Sequence, residues 1–515
     1  MADVDTAAIR RGYVSVTVSP GKPLMVHYRV AGAGPAVLLL HDSPRSSRLH
    51  EPLMKVLASR FRVYALDTPG YGNSDPLPCA NPTIPDFAEA LGATLDTMGL
   101  AQAPIYATHT SAKIALALAV RGGRMEKLVL DGLSIPEQMA SDAFIDAYMR
   151  PFAPEPSGAW LAADWTRTRD MLRWFPWFSI DAEHRIAMEP PSPEWLEDYG
   201  IDLFSAGPHY ASAYTAAMRW NPLQDLRAVE VPTIVAARRD DVLFPHLDRV
   251  PQADNPALSV ERLGPDRTAW AEWIGGSLAS GASGSMTEEA PADISAARGY
   301  LAHDRGQLHW TRYGAPDEGA GRPLVVLSAP STLDAHQWAR RLAPSRPVIV
   351  PDLPGFGDSD ALGSPDADGI AAALLALSTL CHDAPFDVLA IGLAAPLGAR
   401  MAARRPDLVA SLAVWGAAAP GTNADALTPE ILFDPLAGSH LHQFWHMLRD
   451  SAVQWPWHDA RPAAARPGPM PAPADLHHAL TGLLKQRTNY GEAIVAALAA
   501  NQPDDWRRVK VSVVV

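Results

Sequence analysis

Residues 67–75 read Asp67-Thr68-Pro69-Gly70-Tyr71-Gly72-Asn73-Ser74-Asp75, and residues 352–360 read Asp352-Leu353-Pro354-Gly355-Phe356-Gly357-Asp358-Ser359-Asp360. Each follows an apolar, strand-like stretch, FRVYAL in the first case and RPVIVP in the second. The Pro-Gly pairs mark a loop at the end of a strand rather than its continuation. A second, longer match lies downstream. Gly158, Leu161, Trp165, Arg169, Asp170, Pro176 and Trp177 recur at Gly438, Leu441, Trp445, Arg449, Asp450, Pro456 and Trp457, an offset of 280. That offset holds without a gap to Asn221/Asn501, Asp225/Asp505, Arg227/Arg507 and Val231/Val511. Self-similarity of this length reads as a tandem duplication.

Between the copies runs SLASGASGSMTEEAPADISA, a polar, small-residue stretch with the composition of a linker. The expected organisation is a first domain over 1–280, a linker over 281–297 and a second domain over 298–515. The 515 residues suit two large domains, at roughly 100–200 residues each or somewhat more. With 43 Lys+Arg against 57 Asp+Glu the net charge is −14, which argues against a nucleic-acid partner. No apolar run approaches the roughly 18 residues that span a bilayer, and MADVDTAAIRRGYVSV lacks a signal-peptide core. Cys79 and Cys381 are the only cysteines, too few for a disulfide framework or a metal site. A cytoplasmic protein with no membrane partner is expected.

Strands and helices alternate within each copy. VSVTV and LMVHYRV form an opening hairpin; AVLLLH, FRVYALD, IYATH, KLVLDG and PTIVAARR are buried strands. EPLMKVLASR, IPDFAEALGATLDTMG and SAKIALALAVRG are the helices between them. This rhythm implies an α/β fold with a mostly parallel sheet covered on both faces. The Trp-, Pro- and Tyr-rich segment from about 134 to 222 breaks it and reads as a helical cap, with a counterpart at about 418–502.

His41-Asp42-Ser43-Pro44 after a strand, the Asp67–Asp75 loop, the strand-turn-helix around Ala107–Ser111, and Val231-Pro-Thr-Ile-Val with Asp241 and Pro245 together resemble the α/β-hydrolase superfamily, in family order. The resemblance covers nearly all of the first copy, to about residue 278, and most of the second. It implies two α/β-hydrolase-like domains, the second stopping short at its C-terminus.

The resemblance also implies where chemistry should sit. The family's Gly-x-Ser-x-Gly turn lifts a serine above the sheet. Here Ala107-Thr108-His109-Thr110-Ser111 aligns with it, so His109 stands at the nucleophile position. An imidazole there serves as general base or as nucleophile; the plainer reading is a decayed site with a polar turn residue. Sliding by one residue would instead offer Thr110, a poor nucleophile without an adjacent base. Asp241 falls where the family's acid sits. Arg267 stands where the base histidine would be, and arginine cannot accept a proton at neutral pH. An Asp241–Arg267 pair would be an ion pair rather than half of a triad, and if the two are tied together His109 is expected to be neutral near pH 7.

His41, Asp42 and Ser43 occupy the place of the oxyanion loop, whose backbone N–H groups face the reacting carbonyl. Arg45 is a candidate for binding a substrate carboxylate, or a solvated loop residue. In the cap, Trp165 and Arg169 share one helical face, with Asp170 beside them and Trp177 closing the segment. These four form either a pocket ceiling or a cap core with an internal ion pair; their recurrence in the second copy favours the core. That copy has Ser328-Ala329-Pro330 for the oxyanion loop and Gly392-Leu393-Ala394-Ala395-Pro396 for the turn, which puts Ala394 at the apex. Its last segment, Val511–Val515, would expose an apolar strand edge that the other domain, a further segment or a second copy of the chain should cover.

No dinucleotide fingerprint, phosphate loop or metal cluster stands out, so no cofactor is expected. The expected function is a cofactor-independent small-molecule hydrolase or lyase centred on His109 and Asp241, with a non-catalytic second domain. The alternative is a pseudoenzyme that binds a ligand or acts as a scaffold.

Overall fold

The computed structural model describes residues 8–18, 23–186, 189, 191–279, 296–314, 321–364, 366–418, 422–501 and 503–514. Nearly all of the expected linker lies outside them. The chain divides into two compact units, one of residues 1–153 and 166–290, the other of residues 154–165 and 291–515.

The first unit holds an eight-stranded sheet: β1 (Arg10–Val16), β2 (Leu24–Ala31), β3 (Ala36–Leu40), β4 (Arg62–Leu66), β5 (Ile105–Thr108), β6 (Leu128–Asp131), β7 (Thr233–Arg238) and β8 (Leu258–Leu263). Its order is β1-β2-β4-β3-β5-β6-β7-β8. β1 and β2 form the antiparallel hairpin, and β2 pairs antiparallel with β4. From β4 to β8 every pairing is parallel. β3 explains why the apolar run AVLLL belongs in the middle: all five of its residues are buried, as a strand covered on both faces requires. One face packs Val37, Leu39, Val63 and Val129 against Leu53, Met54, Ile274 and Leu278 from flanking helices. Each such side chain contributes about 1.5–3 kcal/mol on burial.

The second unit holds β9 (Arg298–His303), β10 (Gly306–Tyr313), β11 (Leu324–Ala329), β12 (Val348–Pro351), β13 (Phe386–Gly392), β14 (Val409–Trp415) and β15 (Ser512–Val514). Its order, β9-β10-β12-β11-β13-β14-β15, is that of β1 to β7 in the first sheet. β15 is an edge strand with exposed residues.

The two Pro-Gly loops now have a physical account. The buried Asp67 carboxylate accepts Ser47 N–H at 2.6 Å, Asn73 N–H at 2.9 Å and His27 Nδ1 at 2.8 Å. Burial opposes its charge, but His27 beside it, helped by Arg29, holds the carboxyl well below the ordinary range. The loop must fold back over that carboxylate, and only glycine lets it: at Gly72, φ is +53°, and an added Cβ would lie 2.1 Å from Asp67 Oδ2. Asp352 repeats the arrangement with His309 Nδ1 at 2.9 Å, Asp358 N–H at 2.9 Å, and Gly357 at φ +51°. The motif therefore pins the end of a strand to its neighbour.

Between β6 and β7 lie helices at Asp142–Tyr148, Ala159–Met171, Pro193–Ala206, Ser212–Met218 and Leu223–Ala228. Residues 154–165, although inside this segment, group with the second unit.

Candidate active site

His109 occupies the turn between β5 and the helix Thr110–Val120, with φ +45° and ψ −107°. A non-glycine residue in that backbone region is strained, and such strain persists only where the surroundings enforce it. Here the His109 N–H donates to Asp131 O at 3.0 Å, and the following helix is buried along ten of its residues, Thr110 among them. The turn thus projects the imidazole beyond the end of the sheet, leaving it 36% exposed.

Asp241 comes to it from the turn after β7. His109 Nε2 donates to Asp241 Oδ2 at 2.9 Å, while Asp241 Oδ1 accepts Leu243 N–H at 2.8 Å. His109 Nδ1 makes no hydrogen bond among the described residues, so it is the atom left for chemistry. Burial works against a charged His109, but the charge and hydrogen bond of Asp241, reinforced by Asp42 and Asp131, push it up to about 9. Burial likewise opposes a charged Asp241, yet His109 and the Leu243 N–H bring it down to about 2. At neutral pH the pair is an imidazolium and a carboxylate.

This corrects two expectations. Arg267 does not pair with Asp241; it lies 3.7 Å from Asp240 Oδ2, and Asp240 Oδ1 accepts Arg238 Nε at 3.0 Å. Asp241 pairs with His109 instead, and its charge raises the imidazole rather than leaving it neutral at pH 7.

Behind the pair, Asp131 at the end of β6 accepts Tyr106 Oη at 2.7 Å and Trp270 Nε1 at 2.8 Å. Burial raises its carboxyl, against the pull of those two donors. The His41 ring is held by its own loops. Its Nε2 accepts Thr68 N–H at 2.9 Å and its Nδ1 donates to Asp42 O at 2.7 Å, so both ring nitrogens are spent on its own loops. Ser111 Oγ closes the same corner by donating to His41 O. Arg45 is buried, not a solvated loop residue: its Nε donates to Asp202 Oδ2 at 2.7 Å. Tyr71, beside Ser43, donates to Tyr210 O at 2.8 Å.

The four residues read as cap core or ceiling separate. Arg169 Nε meets Asp170 Oδ1 at 3.2 Å, and Trp177 Nε1 donates to Tyr148 O at 2.9 Å. Trp165 belongs to the second unit, edge-on to Phe433 at 5.7 Å and His440 at 5.2 Å. Sequence reasoning missed Asp131 and Asp202. An aspartate inside the apolar run Ile201-Asp202-Leu203-Phe204 was the available signal for one of them.

In the second unit the left-handed apex is Gly392, at φ +60°, while Ala394 has an ordinary φ of −83°. The apex therefore has no side chain, and the expected register is off by two residues. One grouping among the described residues has metal-ligand geometry, His309, Asp352 and Asp358. Lys485 Nζ already lies 3.0 Å from both Asp358 oxygens, so an ammonium stands where a cation would.

Residues 35–255 match the family model described as the alpha/beta hydrolase fold, and the sheet carrying them bears the turn on which His109 stands. That stretch of the chain belongs to the α/β-hydrolase superfamily. The chain is similar to a 2-hydroxy-6-oxononadienedioate/2-hydroxy-6-oxononatrienedioate hydrolase of Burkholderia vietnamiensis, 32% identical over 135 residues, 25% of this chain and 46% of that protein. It is also similar to haloalkane dehalogenase 2 of Mycobacterium bovis, 32% identical over 106 residues, 20% of this chain and 37% of that protein. The chain spans less than half the length of these curated relatives. Among solved structures, the enol-lactonase from Burkholderia xenovorans aligns with a TM-score of 0.39 at 20% identity, over 52% of this chain and 99% of that one. No helix among the described residues is long and apolar enough to cross a membrane.

Proposed function

We propose that the first unit is a cofactor-independent hydrolase of small carbonyl compounds in which His109 is the general base. The observation that carries this reading is the 2.9 Å hydrogen bond from His109 Nε2 to Asp241, made by a histidine on a strained turn. With Nε2 held, the lone pair of neutral His109 lies on Nδ1. Nδ1 takes a proton from water as the oxygen attacks the carbonyl carbon, and Asp241 stabilises the imidazolium that forms. The same proton then passes to the leaving oxygen. Thr110 N–H, first in its helix and without an intrahelical acceptor, is the donor we assign to the developing oxyanion. The relatives' printed activities, hydrolysis of oxo-dienedioates and dehalogenation, support a hydrolytic reaction without naming this chain's substrate. The second unit, with Gly392 at its apex, has no part in the chemistry.

A base whose proton leaves at about 9 makes an alkaline enzyme. Turnover of p-nitrophenyl esters, lactones and 1,3-diketones between pH 6 and 10 is expected to rise with pH, with its midpoint near 9, and to vanish in His109→Ala. One observation favours the competing reading, a ligand-binding protein without turnover: His109 holds its proton at neutral pH. Absence of turnover on the whole panel, or full turnover in His109→Ala, would decide for that reading.

A further inference from the structure

Arg45 is held on three sides. Its side chain is 3% exposed, Nε donates to Asp202 Oδ2 at 2.7 Å, and Asp202 Oδ1 in turn accepts Ser46 Oγ at 2.6 Å. The guanidinium carbon lies 4.8 Å from the Trp195 ring centre and 5.6 Å from that of Tyr199. These contacts fix the plane of the fork but leave Nη1 buried with no hydrogen-bond partner. Three residues earlier, in the turn closed by Arg45 N–H to Asp42 O at 3.0 Å, Asp42 Oδ1 is also buried and has none.

Two unsatisfied polar atoms of opposite charge therefore lie in one turn. A buried group left unmet is costly, and more so when it is charged. The charge of Asp42 is felt at Arg45, at His109, and at Tyr199 and Tyr214 from the helical segment. Thr108 Oγ1 donates to Leu40 O at 3.2 Å and Ser111 Oγ donates to His41 O, so the turn that carries Asp42 and Arg45 lies against the turn that carries His109.

We propose that this corner receives the zwitterionic end of an α-amino acid, carboxylate on Arg45 Nη1 and ammonium on Asp42 Oδ1, while an ester carbonyl on the amino acid's side chain meets His109. This rests on the reading of His109 as the acting group. An anion alone would leave Asp42 unmet, and a cation alone would leave Nη1 unmet. A zwitterion satisfies both without changing the net charge of the corner. In the reaction, water adds to the side-chain ester carbon, the carbon–oxygen bond to the alkoxy group breaks, and the alcohol leaves with the proton from Nδ1.

The full-length protein is titrated calorimetrically with L-aspartate β-methyl ester and L-glutamate γ-methyl ester, and with the N-acetyl and α-carboxamide derivative of each; methanol release is followed in parallel. At least one zwitterion is expected to bind about 10- to 100-fold more tightly than either of its derivatives. Asp42→Asn should abolish discrimination against the N-acetyl compound, and Arg45→Lys, which keeps a cation against Asp202, discrimination against the carboxamide. Melting curves of both variants establish that the fold is kept. Equal affinity for the zwitterions and their derivatives, or no binding of either zwitterion, overturns the proposal. Preferential binding without methanol release leaves it standing and overturns the hydrolase reading. Release at equal rates from all the compounds does the reverse.

Discussion

Gly132 and His109 share a space with room for only one side chain: a Cβ on Gly132 would lie 2.5 Å from both Cδ2 and Nε2 of His109, and 3.2 Å from Asp241 Oδ2. Gly132 follows β6 directly, adopts φ +67°, and donates its N–H to Ala236 O at 2.8 Å, so its backbone cannot drift away. The imidazole reaches Asp241 because this residue has no side chain.

Gly132→Ala should accordingly lower stability by about 1–3 kcal/mol, through the left-handed backbone and the displaced ring. It should also break the His109–Asp241 hydrogen bond. Thermal melting reads the first effect, and NMR titration of His109 the second, with its pKa falling toward 6.5. A variant that melts lower but titrates His109 as wild type does would show that the ring is positioned by something else.

The His109–Asp241 pair fixes the sign of a pH effect on stability. His109 moves up on folding, from 6.5 to about 9, so its contribution is whole below 6.5 and is lost as pH rises through 9. Asp241 moves down, from 3.8 to about 2, so its contribution is present above 3.8 and is lost as pH falls through 2. Solvent reaches more than a third of the imidazole, and screening limits the pair to no more than about 1 kcal/mol. Asp241→Asn should therefore flatten the alkaline limb of a denaturant-midpoint profile between pH 6.5 and 9. An unchanged limb would mean that His109 does not titrate as part of this pair.

The sheet was legible in the sequence because its strands are unbroken apolar runs bounded by turn residues, and β3 and β5 fall within the stretches AVLLLH and IYATH read as strands. The place of His109 was legible for a similar reason: the buried helix that follows sets the register of the turn. The partner of Asp241 was not. Asp240 and Asp241 are neighbours on a tight turn, and their carboxylates point opposite ways, one to Arg238 and Arg267, the other to His109. Nothing local in the sequence says which goes where. The apex in the second unit was misplaced because Gly392 and Ala394 are both small, and only the positive φ of Gly392 separates them. Asp202 stood out as an aspartate in an apolar run, but its pairing with Arg45, 157 positions away, was out of reach.

The two Pro-Gly loops should fail in the same way when their closing glycine is filled. Gly72→Ala puts a methyl 2.1 Å from Asp67 Oδ2, and Gly357→Ala puts one 2.4 Å from Asp352 Oδ2. Each must push the carboxylate off its N–H donors and its histidine. Losing a partner of a buried charged group costs about 3–5 kcal/mol. Two melting transitions are expected to respond separately, the first unit's to Gly72→Ala and the second unit's to Gly357→Ala. If Gly72→Ala abolished turnover while leaving melting untouched, the loop would have to be counted with the chemistry.

Trp165 and Trp445, 280 positions apart, are both buried in the second unit, at 2% and 0% exposure. Trp165 packs edge-on against His440 at 5.2 Å, and Trp445 packs against Trp160 at 5.6 Å while its Nε1 donates to Pro156 O at 3.2 Å. The short segment 154–165 is thus fastened by one tryptophan of its own and by one of the helix Ser439–Val453. Removing a buried tryptophan side chain costs about 3–5 kcal/mol. Trp165→Ala and Trp445→Ala should then lower the same melting transition by similar amounts, although the two residues come from opposite halves of the sequence. A Trp165→Ala protein that melts like the wild type but no longer binds any ligand would instead make Trp165 part of a binding site.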